Sequence, residues 1–166
     1  MNPLTHSYYS GASDAQIIYE TIGTYFDKIA DMHSANPALV VRHQGINWTY
    51  GELQARVNRL ATGLIHLGIK PGDRVGIWGP NSSEWVLVQL ATAKIGAIMV
   101  CINPAYRLYE LEYALNKVEC TTLITDVSFK TSDYLGMINT LVPELENSHS
   151  GQLEAEKLPH LKHVIR

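Results

Sequence analysis

One segment of the chain has the position that a phosphate-binding loop would occupy. Residues 79–84 (GPNSSE) follow the strand pattern of residues 75–79 and lead into the helix pattern of residues 82–95. A phosphate loop needs several glycines and free N–H groups at the start of a helix. This segment has the single glycine Gly79, and Pro80 has no N–H. Asn81 and Glu84 have the spacing of a capping box, which puts a carboxylate where a phosphate would bind. The segment therefore predicts a plain capped helix.

Three further polar residues follow predicted strands. Asn103, Arg107 and Asp126 lie near the carboxyl ends of two strand patterns, the edge at which open α/β sheets bind ligands. However, Asn-Pro is also a common turn, and a single arginine is usually solvated. We expect these residues to have structural roles.

The remaining candidates lack the partners that their chemistry requires. His160 and His163 have no cysteine or carboxylate nearby in sequence to complete a metal site. Ser82 and Ser83 lack a neighbouring base and the GxSxG elbow of a serine nucleophile. Two carboxylates on a predicted helix are expected to face solvent: Glu110 and Glu112. No catalytic, cofactor-binding or metal-binding residue is assigned.

Composition indicates an ordinary globular protein. The 166 residues are 46% hydrophobic and 17% charged, with a formal net charge of −3, so the chain lacks the basic surface that attracts nucleic acid or acidic lipid. The first residues resemble neither a secretory signal nor a transit peptide. Cys101 and Cys120 lie among apolar or β-branched neighbours and are expected to be buried, reduced thiols. These features predict a cytoplasmic protein.

Strand and helix patterns alternate along the chain. Thr49 and Glu52 form a capping box, Trp48 and Leu53 occupy the staple positions, and Gly68 is expected to end that helix. Helices are predicted at residues 21–33, 50–67, 82–95, 108–118 and 130–141, and strands at 38–42, 46–49, 75–79, 98–102, 121–126 and 161–165. Residues 38–49 are expected to form a hairpin, and the later strands a parallel sheet with right-handed crossovers.

The apolar run of residues 85–102 allows a different interpretation as a membrane span. Its 18 residues are close to the minimum of about 17 for a spanning helix. Lys94 near its centre would cost about 3 kcal/mol on insertion scales, and the sequence becomes strand-like after Gly96. We therefore expect a buried helix followed by a strand.

The last predicted strand is followed by very little sequence. Parallel sheets are normally covered on both faces, so we expect one face to be left uncovered and more protein to belong after Arg166. Residues 144–159 are expected to form a polar connector.

The order of several long segments resembles the AMP-forming acyl-CoA synthetases, the acyl-adenylate-forming enzymes. The matching segments are WTYGELQARVNRLATGL, LGIKPGDRVGIWGPNSSEWV, ATAKIGAIMVCINPAYR and ELEYALNKVEC. The tail ELENSHSGQLEAEKLPHLKHVI resembles the medium-chain fatty acyl-CoA ligase branch. The resemblance implies an α/β fold, a largely parallel sheet flanked by helices, which would be the incomplete N-terminal part of the large domain. The irregular N-terminal sequence predicts a loosely ordered arm, residues 1–20, and the resemblance assigns residues 21–166 to part of the AMP-binding domain.

The resemblance also implies a reaction. In that family a carboxylate attacks the α-phosphate of ATP, giving an acyl-adenylate and pyrophosphate, and coenzyme A then displaces AMP to form the thioester. ATP, coenzyme A, Mg²⁺ and a fatty acid are the implied cofactors and substrate of the full-length enzyme, and none is expected to bind this chain alone. The family's phosphate loop and catalytic lysine have no counterpart here, so the chain is expected to be inactive by itself.

Two other hypotheses remain open. The chain could be a non-catalytic remnant, or a subunit that associates with a partner chain such as the missing part of the same enzyme. An independent dinucleotide-binding oxidoreductase is disfavoured because no GxGxxG fingerprint is present. We expect neither a nucleic-acid partner nor a transmembrane segment.

Overall fold

The computed structural model describes Gly11, Asp14, residues 16–149 and residues 151–166. The arm predicted for residues 1–20 lies mostly outside the described residues. The helices are α1 (Ile22–Met32), α2 (Tyr50–His66), α3 (Ser83–Ile95), α4 (Leu108–Lys117) and α5 (Tyr134–Leu141). The strands are β1 (Pro37–Val41), β2 (Ile46–Thr49), β3 (Arg74–Trp78), β4 (Ile98–Ile102), β5 (Thr122–Thr125), β6 (Ser128–Phe129), β7 (Ser132–Asp133) and β8 (His163–Ile165). Short 3-10 turns cover Arg42–Gln44 and Pro143–Glu146.

A parallel sheet forms the centre of the fold. Its strands are ordered β4-β3-β5-β8, and all three neighbouring pairs are parallel. Trp78 lies beside Ile102 on one side and Thr125 on the other, so the loops that follow these strands meet at one edge. The predicted parallel sheet and the antiparallel β1–β2 hairpin are both confirmed.

The sheet has a hydrophobic core on each face. One core joins β3 to α2 and α3 and includes the fully buried Val57 and Ala91. The other joins β3, β4 and β5 to α4, α5 and the connector, where Leu153 and Leu158 are buried. The expectation of an uncovered face was wrong, because α5 and apolar connector side chains cover the second face.

Apolar residues are spread around most of helix α3, with Glu84 and Gln89 exposed, which is typical of a helix that is covered on more than one side. It packs on β3 and β4 and also contacts α1 and α2. The helix ends at Gly96, whose φ of +74° favours glycine, and the chain then enters β4. Lys94, which argued against a membrane span, binds Asp27 of α1 and Asn58 of α2. The predicted helix followed by a strand is confirmed.

Local capping signals predicted α2 correctly. The Thr49 hydroxyl accepts the Glu52 N–H at 3.3 Å, and the Glu52 carboxylate accepts the Thr49 N–H at 2.9 Å. Gly68 follows the last turn with φ +87°. The capping box and the end of this helix are therefore confirmed.

Two details of the C-terminal half differ from the sequence predictions. Residues 130–133 are not helical: they belong to the β6–β7 hairpin, and α5 begins only after Asp133, whose Oδ1 accepts the Gly136 N–H at 2.9 Å. The helical spacing of Leu108, Leu111 and Leu115 predicts that all three face the sheet; Leu111 and Leu115 are buried, but Leu108 is exposed. Leu108 is the first residue of that helix, beyond the part that packs on the sheet.

The two cysteines differ in burial. Cys120 is buried, as predicted, whereas Cys101 is exposed. Cys101 lies on β4, which is an outer strand of the sheet, so one side of this residue has no neighbouring strand among the described residues. The prediction of a buried Cys101 was wrong.

Candidate functional site

A crevice opens at the carboxyl ends of β3 and β5. The connection from β3 leads through α3 to β4 on one side, whereas the chain leaves β5 towards β8 on the other side. Adjacent strands whose connections diverge in this way form a topological switch point, where open α/β sheets bind ligands. The crevice has a volume of about 220 Å³. It is the strongest candidate site in the described part of the chain.

The crevice walls combine apolar and acidic side chains. The floor comes from the ends of β3 and β5, and the rim from the β3–α3 loop, the start of α3 and Arg166. The polar and aromatic residues that line it are Gln44, Trp78, Ser82, Glu84, Trp85, Thr125, Asp126 and Arg166.

Two hydrogen bonds hold Asp126 at the floor of the crevice, one made by its backbone and one by its side chain. Its N–H donates to the carbonyl of Trp78 at 3.2 Å, and its Oδ1 accepts the N–H of Val127 at 2.7 Å. A Cβ on Gly79 would come within 3.2 Å of the Asp126 Cβ, so the glycine allows the two loops to approach. Of the three strand-end residues singled out from sequence, only Asp126 lines the crevice.

The start of α3 is capped by a residue far away in sequence. Gln44, in the turn between β1 and β2, accepts the Ser83 N–H with Oε1 at 2.8 Å and donates from Nε2 to the Glu84 carboxylate at 2.9 Å. The N-cap position is Ser82, whose side chain makes no capping hydrogen bond. The predicted Asn81–Glu84 capping box was wrong, because the distant amide satisfies the helix start instead. The prediction that a carboxylate occupies this helix start is confirmed.

The Glu84 carboxylate is stabilised in its ionised form. Burial alone would raise the pKa of Glu84, but hydrogen bonds from Gln44 and Ser82 outweigh it, so that the pKa lies below its ordinary value. This anion sits in the first turn of α3, where the helix dipole favours it. At this helix start the Ser83 N–H is already bound by Gln44 and an ionised carboxylate lies beside it, which disfavours a phosphate at that position.

The Asn103 loop lies beside the crevice and is fixed by buried rings. The Trp78 indole N–H donates to the Asn103 carbonyl at 3.1 Å, and the Tyr134 hydroxyl donates to the Pro104 carbonyl at 3.0 Å. The two rings meet edge to face with centroids 4.4 Å apart. The Asn103 side chain hydrogen-bonds within its own loop, since its Oδ1 accepts the Ala105 N–H at 2.9 Å. The expected structural role of Asn103 is consistent with these contacts.

Arg107 also has structural contacts. Its guanidinium donates to the Ser132 hydroxyl at 3.0 Å, which ties α4 to β7. Its backbone N–H donates to the Glu110 carboxylate at 3.2 Å, so Glu110 caps α4 while remaining exposed. Glu112 is half-buried rather than fully solvated.

The histidine and serine candidates do not form a reactive cluster. His160 is exposed and His163 lies half-buried on β8, and no group of three possible metal ligands occurs within the described residues. Ser82 lines the crevice, whereas Ser83 is fully buried at the start of α3. No described helix has both the length and the apolar character needed to cross a membrane.

Sequence reasoning missed Gln44, the residue that organises the crevice rim. It lies in an exposed turn, 39 residues before Ser83, and nothing in its local sequence indicates a partner. Only the position of the hairpin against α3 brings the two together.

Comparison with known proteins identifies a close group of relatives. A family model described as AMP-binding enzyme matches residues 26–165. The mitochondrial medium-chain acyl-CoA ligase ACSF2 of Rattus norvegicus is 43% identical over 159 residues, which are 96% of this chain and 26% of that protein. The protein of the same name from Danio rerio is 40% identical over 162 residues, 98% of this chain and 27% of its own length.

The fold has close matches among solved structures. The inhibitor-bound N-terminal domain of FACL13 from Mycobacterium tuberculosis superimposes with a TM-score of 0.73 at 25% identity, covering 87% of this chain and 33% of that one. The chain thus spans about a quarter of the length of the curated relatives that it matches.

Proposed function

Because the chain belongs to the AMP-binding enzyme family, we propose that it forms part of an ATP-dependent fatty acyl-CoA ligase. The observation that carries this proposal is the 43% identity to a medium-chain acyl-CoA ligase over nearly the whole chain. The chain corresponds to about a quarter of that relative, so the activity is proposed for the complete enzyme.

The proposed reaction has two steps. A fatty acid carboxylate attacks the α-phosphate of ATP, forming an acyl-adenylate and releasing pyrophosphate. The thiol of coenzyme A then attacks the acyl carbon, the bond to AMP breaks, and the thioester forms. The first step is needed because a carboxylate resists attack by a thiol until one of its oxygens becomes part of a good leaving group.

Within that enzyme, the residues of this chain act as scaffold. The contacts at the start of α3 do not fit ATP phosphates, since Gln44 already takes the Ser83 N–H and Glu84 is ionised nearby. No step of the reaction is therefore assigned to the crevice. In this proposal ATP, Mg²⁺ and coenzyme A bind residues in the three-quarters of the enzyme that have no counterpart here.

Pyrophosphate release measures the proposed activity directly. The full-length enzyme, supplied with ATP, Mg²⁺, coenzyme A and a medium-chain fatty acid, should release pyrophosphate and form the acyl-CoA. The 166-residue chain alone should release none under the same conditions. A full-length enzyme without turnover contradicts the ligase proposal, and steady turnover by the chain alone contradicts its scaffold role.

The short coverage of the relatives favours a second candidate, a non-catalytic remnant or a separate subunit. The coding sequence after Arg166 distinguishes these cases. A Ser/Thr/Gly-rich phosphate loop that follows in frame indicates one long enzyme, the same loop in a separate frame indicates a split subunit, and its absence indicates a remnant.

We also propose that the protein works in the cytoplasm, as its sequence predicts. The rat and zebrafish relatives carry the word mitochondrial in their names, which makes mitochondria the alternative. Cell fractionation of the tagged full-length protein distinguishes the two compartments, and recovery with the mitochondrial matrix would overturn the cytoplasmic proposal.

A further inference from the structure

We draw no further inference here: the strongest candidate, the apolar side of α1 on which Ile22, Tyr25 and Met32 are exposed, carries nothing because no observation within the described residues shows what covers it.

Discussion

Two loops at the carboxyl edge of the sheet are held in opposite ways. The β3–α3 loop and the start of α3 depend on Gln44, an exposed amide that reaches across from the β1–β2 turn. The Asn103 loop depends on Trp78 and Tyr134, two fully buried rings whose polar atoms donate to backbone carbonyls. One loop is held by the hydrogen bonds of an exposed side chain, and the other by the packing and hydrogen bonds of two buried rings.

This difference predicts that removing the contacts of the two loops lowers the free energy of unfolding by different amounts. A buried ring contributes its apolar packing as well as its hydrogen bond, and removing it leaves a cavity. Gln44 comes from an exposed turn and contributes mainly its two hydrogen bonds, to the N–H of the buried Ser83 and to the Glu84 carboxylate, so its removal leaves no large cavity. We therefore expect the Asn103 loop to be the rigid part of the edge and the crevice rim to be the part that can adjust.

The largest effect is expected for Trp78→Ala. The change removes a ring with 0% exposure and the donor to the Asn103 carbonyl, so the free energy of unfolding should fall by about 3–5 kcal/mol. Urea unfolding followed by far-UV circular dichroism measures the loss. Trp78→Phe should recover most of it, and equal losses for the two variants would contradict the packing argument.

Tyr134→Phe should have a smaller effect. It keeps the ring against Trp78 and removes only the hydroxyl that donates to Pro104, at a cost of about 1–2 kcal/mol. The exposed Tyr113 is a matched control, and Tyr113→Phe should leave the unfolding midpoint unchanged. If the two tyrosine variants lose the same stability, the buried hydroxyl does not hold the loop.

Gln44→Ala tests the exposed cap. Loss of the cap on α3 should cost about 1 kcal/mol, and the pKa of Glu84 should rise, since the variant lacks one of the hydrogen bonds that lower it. The pKa can be followed by NMR titration of the carboxyl carbon. His43→Ala, in the same exposed turn, is the control. An unchanged Glu84 pKa in the Gln44 variant would show that the amide does not stabilise the carboxylate.

The smallest effect is the pH dependence contributed by Glu84. Its pKa in the folded protein lies below the ordinary value of 4.5, so the ionised form stabilises the fold above that pH, and the contribution disappears as the pH falls through the folded pKa. The stability difference between the parent chain and Glu84→Gln should therefore shrink on acidification. Glu154→Gln, at an exposed position, is the control, and a pH-independent difference for Glu84→Gln contradicts the prediction.

Local signals in the sequence predicted the fold where the interactions are local. Thr49 and Glu52, which are three residues apart, cap the start of α2 with their side chains. The spacing of apolar residues distinguished the strands from the helices. Asp133 is also a local signal for the start of α5, but the apolar pattern on both sides of it predicted one longer helix over residues 130–141. In the structure, residues 130–133 belong to the β6–β7 hairpin.

The candidate site was predicted less well because its contacts are distant in sequence. Asp126 could be placed at the correct edge, since carboxyl ends of parallel strands share that edge. The cap from Gln44, the hydrogen bonds from Trp78 and Tyr134, and the exposure of Cys101 depend on which elements become neighbours. Sequence periodicity specifies neither the strand order nor which elements pack together, and these contacts depend on both.

The apolar surface of α3 has a consequence for folding during synthesis. A largely apolar helix is prone to aggregate when it is uncovered. Both helices that contact it, α1 and α2, precede it in the chain, so they leave the ribosome first. The order of synthesis therefore supplies a protective cover before the most aggregation-prone helix emerges, and a permuted gene that delivers α3 first should produce more insoluble protein.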